Sequence, residues 1–217
     1  MSDDVVIVVA GGRPAAVDVR SLPASAPVVA ADEGLDHALA GGLRVDVAVG
    51  DFDSASPAGL AAVEAAGGRV VRHPVEKDAT DLELALDEAA ALGPRRLLVV
   101  GVDGGRLDHL LAGLLLLGSE RYAAFEVDAL LGPATAHVVR GERLLEGRPG
   151  ELVSLLALHG PAEGVVTDGL AYPLRGETLL PGSSRGVSNV FAARVAGVAV
   201  ERGVVLVLRP GPERSDR

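Results

Sequence analysis

At 217 residues, 48% of them hydrophobic and only 2% aromatic, the chain can bury a full core of Ala, Val and Leu, in one large domain or two unequal ones. A formal net charge of -10 excludes a nucleic-acid groove or an anionic membrane surface, which need clustered Lys and Arg, but not nucleotides bridged to carboxylates by a metal. No cysteine is present, which excludes disulfides, thiolate zinc sites and a cysteine nucleophile. The apolar run near the amino terminus follows acids and is too short for a secretory signal, and Leu110 to Leu117 is too short to span a bilayer. The expectation is a soluble, cytoplasmic protein.

In chain order, Val5 to Val9 reads as a strand of a parallel sheet covered on both faces, ending in the turn Gly11-Gly12-Arg13, which could reach an anion or simply end the strand. Val28 to Ala31 is a second strand, running into Asp32-Glu33-Gly34 and a short helix from Leu35 to Ala40, with Asp32 favoured as its N-cap. Val45, Val47 and Val49 form a third strand, released by Gly50. If the extended geometry persists, Asp51 and Asp53 share a face at the strand's carboxyl end, where ligands of open α/β sheets sit, and could hold a divalent cation with its phosphates. The alternative is that Asp53 or Ser54 caps the helix after Pro57 and Asp51 satisfies loop amides.

A helix from Ala58 to Ala66 and a strand from Arg69 to Arg72 follow. Next comes the clearest helical pattern, opened by Thr80 and Glu83 as a capping box, with Asp78 and Asp81 at its amino end beside Lys77. Leu97 to Val100 is a strand ending in GVDGGRLDH: Gly101, Gly104 and Gly105 make a flexible turn, Arg106 supplies a planar donor fork, and Asp108-His109 open the helix Leu110 to Leu117. His109 alone reads as a packed, hydrogen-bonded histidine. From about Phe125 short runs take over: Glu126 to Leu131, His137 to Arg140, Leu152 to Leu158, Gly164 to Val166, Ala193 to Val200 and Val204 to Leu208, the last two separated by a turn at Glu201-Arg202-Gly203. The pattern predicts an α/β domain over 1–140 and a β-rich domain over 141–217, with a disordered tail after Pro210.

ADEG at Ala31 to Gly34, GDFDS at Gly50 to Ser54, KDATD at Lys77 to Asp81 and GGRLDH at Gly104 to His109 fall at the ends of successive strands. Their order and spacing resemble the thiamine pyrophosphokinase family over nearly the whole chain. GLAYPL at Gly169 to Leu174 and Ser188-Asn189 resemble its carboxyl-terminal β-domain. The resemblance implies a Rossmann-like parallel-sheet domain, a smaller β-sandwich and a homodimer with sites at the subunit interface. It also implies Mg2+-dependent transfer of the diphosphoryl group of ATP to thiamine, releasing AMP.

Carried over by position, Asp51, Asp53 and Asp81 would surround the metal and be catalytic together with Arg106 and Asp108. Asp32, Lys77, Asp78, Thr80, Gly104, Gly105, Arg106 and His109 would bind ATP, and Asp108, Ser188 and Asn189 would hold thiamine. The chain departs from the family pattern at Glu33, at Lys77 where glutamine is common, at Gly113 where asparagine is usual, and in lacking a tryptophan to stack on thiamine; Tyr172 and Phe191 are the nearest candidates. Phosphoryl-type transfer asks mainly for positioning and charge dispersal, which a carboxylate-held metal and one guanidinium supply. Two alternatives stay open: a related diphosphotransferase or phosphohydrolase using the same aspartates on another small alcohol or nucleotide, and a non-catalytic nucleotide-binding module.

Overall fold

The structure is a computed structural model and describes residues 4–12, 22–103 and 106–211. Arg13, Gly104, Gly105 and the tail beyond residue 211 lie outside the described residues. The chain divides into two compact units, one of residues 1–116 and 124–132, the other of residues 117–123 and 133–217.

The strands of the first unit are β1 (Val5–Val9), β2 (Val28–Ala31), β3 (Val47–Gly50), β4 (Arg69–Arg72), β5 (Arg96–Val100) and β6 (Glu126–Leu131). They lie in the order β6-β5-β1-β2-β3-β4, and every neighbouring pair is parallel. β1, β2 and β3 are buried at every position, as unbroken apolar runs require when helices cover both faces. β4, at the edge, exposes Arg69 and Arg72. One core joins Ile7, Val28, Ala30 and Ala48 of the sheet to Leu35, Ala38 and Val63 of the helices. Leu35 is fully buried, a gain of about 2 kcal/mol on area arguments.

The helices are α1 (Gly34–Ala40), α2 (Pro57–Ala65), α3 (Asp81–Ala91) and α4 (Leu107–Leu117). α1 begins against the end of β1: a Cβ on Gly34 would lie 2.4 Å from the Val9 carbonyl oxygen, so Gly34→Ala would force the two apart. Asp32 does not cap this helix; the N-cap position falls to Glu33, whose side chain makes no capping bond. Nor do Asp53 or Ser54 cap α2. Ser56, next to Pro57 at the first helical position, accepts the Gly59 N–H at 2.9 Å. Asp36 of α1 then takes the Ser56 amide at 2.7 Å and its hydroxyl at 2.5 Å, tying the two helix starts together. α3 is capped as expected, by Thr80 accepting the Glu83 N–H at 3.3 Å, and buries Ala85, Leu86 and Ala89.

The second unit is antiparallel: β7 (Ala134–Glu146), β8 (Leu152–Asp168), β9 (Arg175–Leu179), β10 (Asn189–Val190) and β11 (Val195–Arg209). β11 pairs with both β7 and β8, and β8 also pairs with β9 and β10. Several short runs expected from the sequence are halves of long strands. Glu201-Arg202-Gly203 is a bulge inside β11, where the register against β8 jumps between Arg202 and Val204. Gly203 has φ +92°, and a Cβ there would meet the Pro161 carbonyl oxygen at 2.4 Å, so only glycine suits the bend. Both halves of β8, through Leu155 and Val165, and both halves of β11, through Val198 and Val207, line one core. The sandwich is therefore built from bent strands rather than separate short ones. Phe191 belongs to that core, 1% exposed and packed under Gly147, so it offers no face to a ligand.

Candidate active site

The carboxyl ends of β2 and β3 meet the amino end of α3. Gly50, at φ +151°, makes the approach possible: a Cβ there would lie 3.1 Å from Asp81 Oδ1 and 3.2 Å from Asp32 Cβ. The extended geometry stops at Gly50, so Asp51 and Asp53 do not come together by strand alternation. Phe52 takes φ +61°, a conformation costly for a bulky residue, held by its burial and by the Arg72 guanidinium 5.1 Å from its ring centre. The resulting turn brings the Asp53 N–H to Asp51 Oδ1 at 3.2 Å. Asp32 is also left-handed, at φ +43°, and carboxylate oxygens of Asp32, Asp51 and Asp53 lie within 4.8 Å of one another. Two strained residues at the ends of neighbouring strands, Asp32 after β2 and Phe52 after β3, are the usual mark of a site held by its surroundings.

Lys77 enters this group from the turn before α3. Its Nζ lies 2.5 Å from Asp51 Oδ2 and 3.1 Å from Asp81 Oδ1, and the Lys77 and Asp51 side chains are only 12% and 10% exposed. The Lys77 hydrogen bond is the main reason the Asp51 pKa lies below the ordinary carboxylate range. Burial works against the Lys77 ammonium, but its bonds to Asp51 and Asp81 outweigh it and hold its pKa up. Asp53 has no such partner; the negative charge of Asp51 beside it raises its pKa. Asp32 accepts the Ser54 hydroxyl at Oδ2, while its Oδ1 is buried with no hydrogen-bond partner. Three convergent carboxylates, one with an orphaned buried oxygen, are the hard oxygen donor set that suits a divalent cation such as Mg2+.

Asp32 and Asp81 also line a cavity of about 520 Å³. That is the size of a small-ligand pocket. Gly11 and Gly12 after β1, Thr80, Arg106 and His109 give it polar walls, and Leu82, Ala112 and Leu116 an apolar one. Gly113 faces it from α4, where a Cβ would lie 2.6 Å from Val102 Cγ1 and 3.3 Å from Leu82. The helix sits too close to β5's end for a larger residue without a shift. His109 is an exposed wall residue rather than a packed one. Arg106 and Asp108 are exposed and paired through two guanidinium nitrogens, at 3.2 and 2.6 Å. That pairing holds the Asp108 pKa down at about 2.

Asp78 is exposed on the turn before α3 and is not among the cavity walls. Ser188 and Asn189 belong to the second unit. Ser188 is exposed at φ +57°, with its amide bonded to Ser154 Oγ. Asn189 is 2% exposed, and its amide is committed to backbone: Oδ1 accepts from Tyr172 and Val190, and Nδ2 donates to the Tyr172 carbonyl at 2.7 Å. It therefore positions the segment that carries Tyr172, a residue 62% exposed, and is itself buried away from a ligand. Two residues escaped the sequence reading: Ser54 as the partner of Asp32, and Asp103 after β5, whose buried Oδ1 has no hydrogen-bond partner. Both lie inside the motifs already noted, GDFDS and GVDGG, which is the only signal they gave.

Among the described residues no helix is long and apolar enough to cross a membrane. A family model described as thiamin pyrophosphokinase, catalytic domain, matches residues 20–127, and one described as thiamin pyrophosphokinase, vitamin B1 binding domain, matches residues 137–205. The thiamine pyrophosphokinase of Bacillus subtilis (strain 168) is 26% identical over 185 residues, covering 83% of this chain and 86% of that protein. The crystal structure of a thiamin pyrophosphokinase family protein from Enterococcus faecalis, 28% identical, covers 96% of this chain and 99% of its own, with a TM-score of 0.81. That of the Bacillus subtilis thiamine pyrophosphokinase superposes with a TM-score of 0.84 at 24% identity, over 96% of this chain and 99% of its own, a likeness of fold. With both matched segments in order along one α/β and β-rich chain, the protein belongs to the thiamine pyrophosphokinase family.

Proposed function

We propose that the chain is a thiamine pyrophosphokinase, transferring the diphosphoryl group of ATP to the hydroxyl of thiamine and releasing AMP. The observation that carries this reading is the convergence of Asp32, Asp51 and Asp53 beside a nucleotide-sized cavity in a chain of this family. Asp51 and Asp53 would hold Mg2+, with Asp32 as a third ligand and Asp81 reached through Lys77. Bound there, the ion would neutralise charge on the polyphosphate oxygens.

The chain's own residues supply the rest. The Gly11-Gly12 turn, whose Gly12 amide is held by the Gly101 carbonyl at 2.8 Å, would shape the wall against which Thr80, Arg106 and His109 bind and orient ATP, with the apolar walls Leu82, Ala112 and Leu116 taking its base. The thiamine hydroxyl oxygen bonds to the β-phosphorus as the bond from that phosphorus to the α,β-bridging oxygen breaks. AMP leaves with the bridging oxygen, and the hydroxyl proton passes to solvent. Among the described residues Arg106 is the guanidinium on the cavity wall that can offset charge on the migrating group, and Asp108 fixes its fork.

The domain of residues 141–217 would bind thiamine, with exposed Ser188 and Tyr172 as contacts. A cytoplasmic homodimer completes the reading. Incubation with ATP, Mg2+ and thiamine, with products resolved by mass, tests it. Thiamine diphosphate and AMP in equal amounts are expected. ADP with thiamine monophosphate, or phosphate release independent of thiamine, would replace it with the phosphohydrolase or another kinase reading, and no turnover with ATP binding intact would favour a binding module.

A further inference from the structure

Lys77 is a conspicuous group in the site, because it puts a covalently held cation among the very carboxylates that a metal ion would need. Its Nζ is within ion-pair distance of both Asp51 and Asp81, at 2.5 and 3.1 Å, and the side chain is nearly buried. Asp51 is shared: Oδ2 faces Lys77, while Oδ1 accepts the Asp53 amide and the carboxylate belongs to the cluster with Asp32 and Asp53. An ammonium has three donors and no lone pair, so it cannot join a coordination shell. It can only compete with an ion for the same carboxylate oxygens or stand beside it.

We propose that Lys77 is a built-in counter-cation that occupies the Asp51–Asp81 side of the cluster, confining divalent-ion binding in the free protein to the face made by Asp32, Asp51 and Asp53. The inference rests on the reading of that face as the metal site. It separates two jobs that a run of four acidic side chains could otherwise leave to two metal ions. One ion sits at the open face, and the fixed ammonium neutralises the other, closing it to a second ion. Because Lys77 is tethered in the turn before α3, its charge stays in the site whatever the ion concentration. Asp81, which Gly50 lets come close to Asp32, is then reserved for Lys77 in the free chain.

The test is Mn2+ binding to the full-length protein without nucleotide, read from the spectrum of free Mn2+ by electron paramagnetic resonance. It compares the wild type with Lys77→Met, Lys77→Arg and Asp53→Asn. Methionine keeps length and removes the charge without adding an oxygen ligand, whereas arginine keeps the cation. The expected result is one ion in the wild type and in Lys77→Arg, and either a second ion or at least tenfold tighter binding in Lys77→Met. Equal stoichiometry and affinity, within twofold, in wild type and Lys77→Met overturns the role of Lys77. If Asp53→Asn has lost binding in the same experiment, the metal face itself stands and only the Lys77 inference falls. If Asp53→Asn binds like the wild type, the metal-face reading fails and the inference falls with it. Circular dichroism on each variant shows that the fold is kept; should Lys77→Met not fold, Lys77→Gln carries the comparison with the same outcomes.

Discussion

The Ser54 hydroxyl, just past the end of β3, donates to Asp32 Oδ2 just past the end of β2, leaving the other Asp32 oxygen buried and unpartnered. One hydrogen bond thus links two adjacent strand ends and fixes which oxygen of Asp32 is available to a ligand. Removing the donor in Ser54→Ala should cost about 1 kcal/mol of stability or less, the net worth of one hydrogen bond. Turnover should drop further, roughly tenfold, because a misoriented ligand is felt in the transition state. Thermal unfolding and steady-state kinetics on the variant check both halves of the expectation.

Asp53 separates function from stability by sign. Its folded pKa is raised by the charge of Asp51, so folding favours the protonated form, and that contribution is lost as pH rises from the unfolded value through the folded one. At neutral pH the ionised carboxylate therefore works against the fold. Asp53→Asn, neutral at every pH, should melt at or above the wild-type temperature at pH 7 while losing essentially all Mg2+-dependent turnover. A variant that keeps its rate would make the DFD turn purely structural.

Arg106, on the cavity wall, and its partner Asp108 form one unit. The pairing lowers the Asp108 pKa to about 2, so its stabilisation is complete above the ordinary carboxylate value and is lost only as pH falls through about 2. Carbon-13 titration of the Asp108 carboxyl should place the midpoint near that value and move it up towards the ordinary carboxylate range in Arg106→Ala. Both side chains are well exposed, so the melting temperature should not change measurably. In kinetics the double variant Arg106→Ala, Asp108→Ala should be less impaired than the product of the single defects, since each single change already breaks the pair. Fully multiplicative defects would mean that the two act independently.

In the second unit Asn189 binds the backbone of Tyr172 on both sides, as a peptide group would. Asn189→Ala leaves those groups and the Val190 amide short of partners in a buried place, at a cost of about 2 to 4 kcal/mol. Denaturant unfolding followed by circular dichroism should show that loss, and the Michaelis constant for thiamine should rise as the Tyr172 segment loosens. A Michaelis constant unchanged in folded variant protein would remove Tyr172 from the thiamine site.

Much of the fold and of the site is legible in the sequence. Unbroken runs such as Val5 to Val9 announce a covered parallel sheet, Thr80 and Glu83 announce α3, and the aspartates of GDFDS stand out because they follow a strand and a glycine. What escaped was whatever depends on which strand ends are neighbours. Lys77 reaches an aspartate 26 positions away and Ser54 one 22 away, distances over which local pattern is silent. Pattern alone does not place the α2 cap, because Asp53, Ser54 and Ser56 are all good capping residues; the structure uses Ser56, whose hydroxyl Asp36 also holds. β8 and β11 read as separate short runs because glycine and proline at a bend look the same in sequence whether the chain turns back or bulges and continues.

In the proposed reaction two phosphoryl groups move together onto thiamine, and the position of a label tests this most directly. With ATP carrying labelled phosphorus only at the β position, Mg2+ and thiamine, the expected result is all transferred label in thiamine diphosphate and none in the AMP released. Label retained in ADP while thiamine gains a single phosphate, or label released as free phosphate or pyrophosphate with thiamine unchanged, would contradict it.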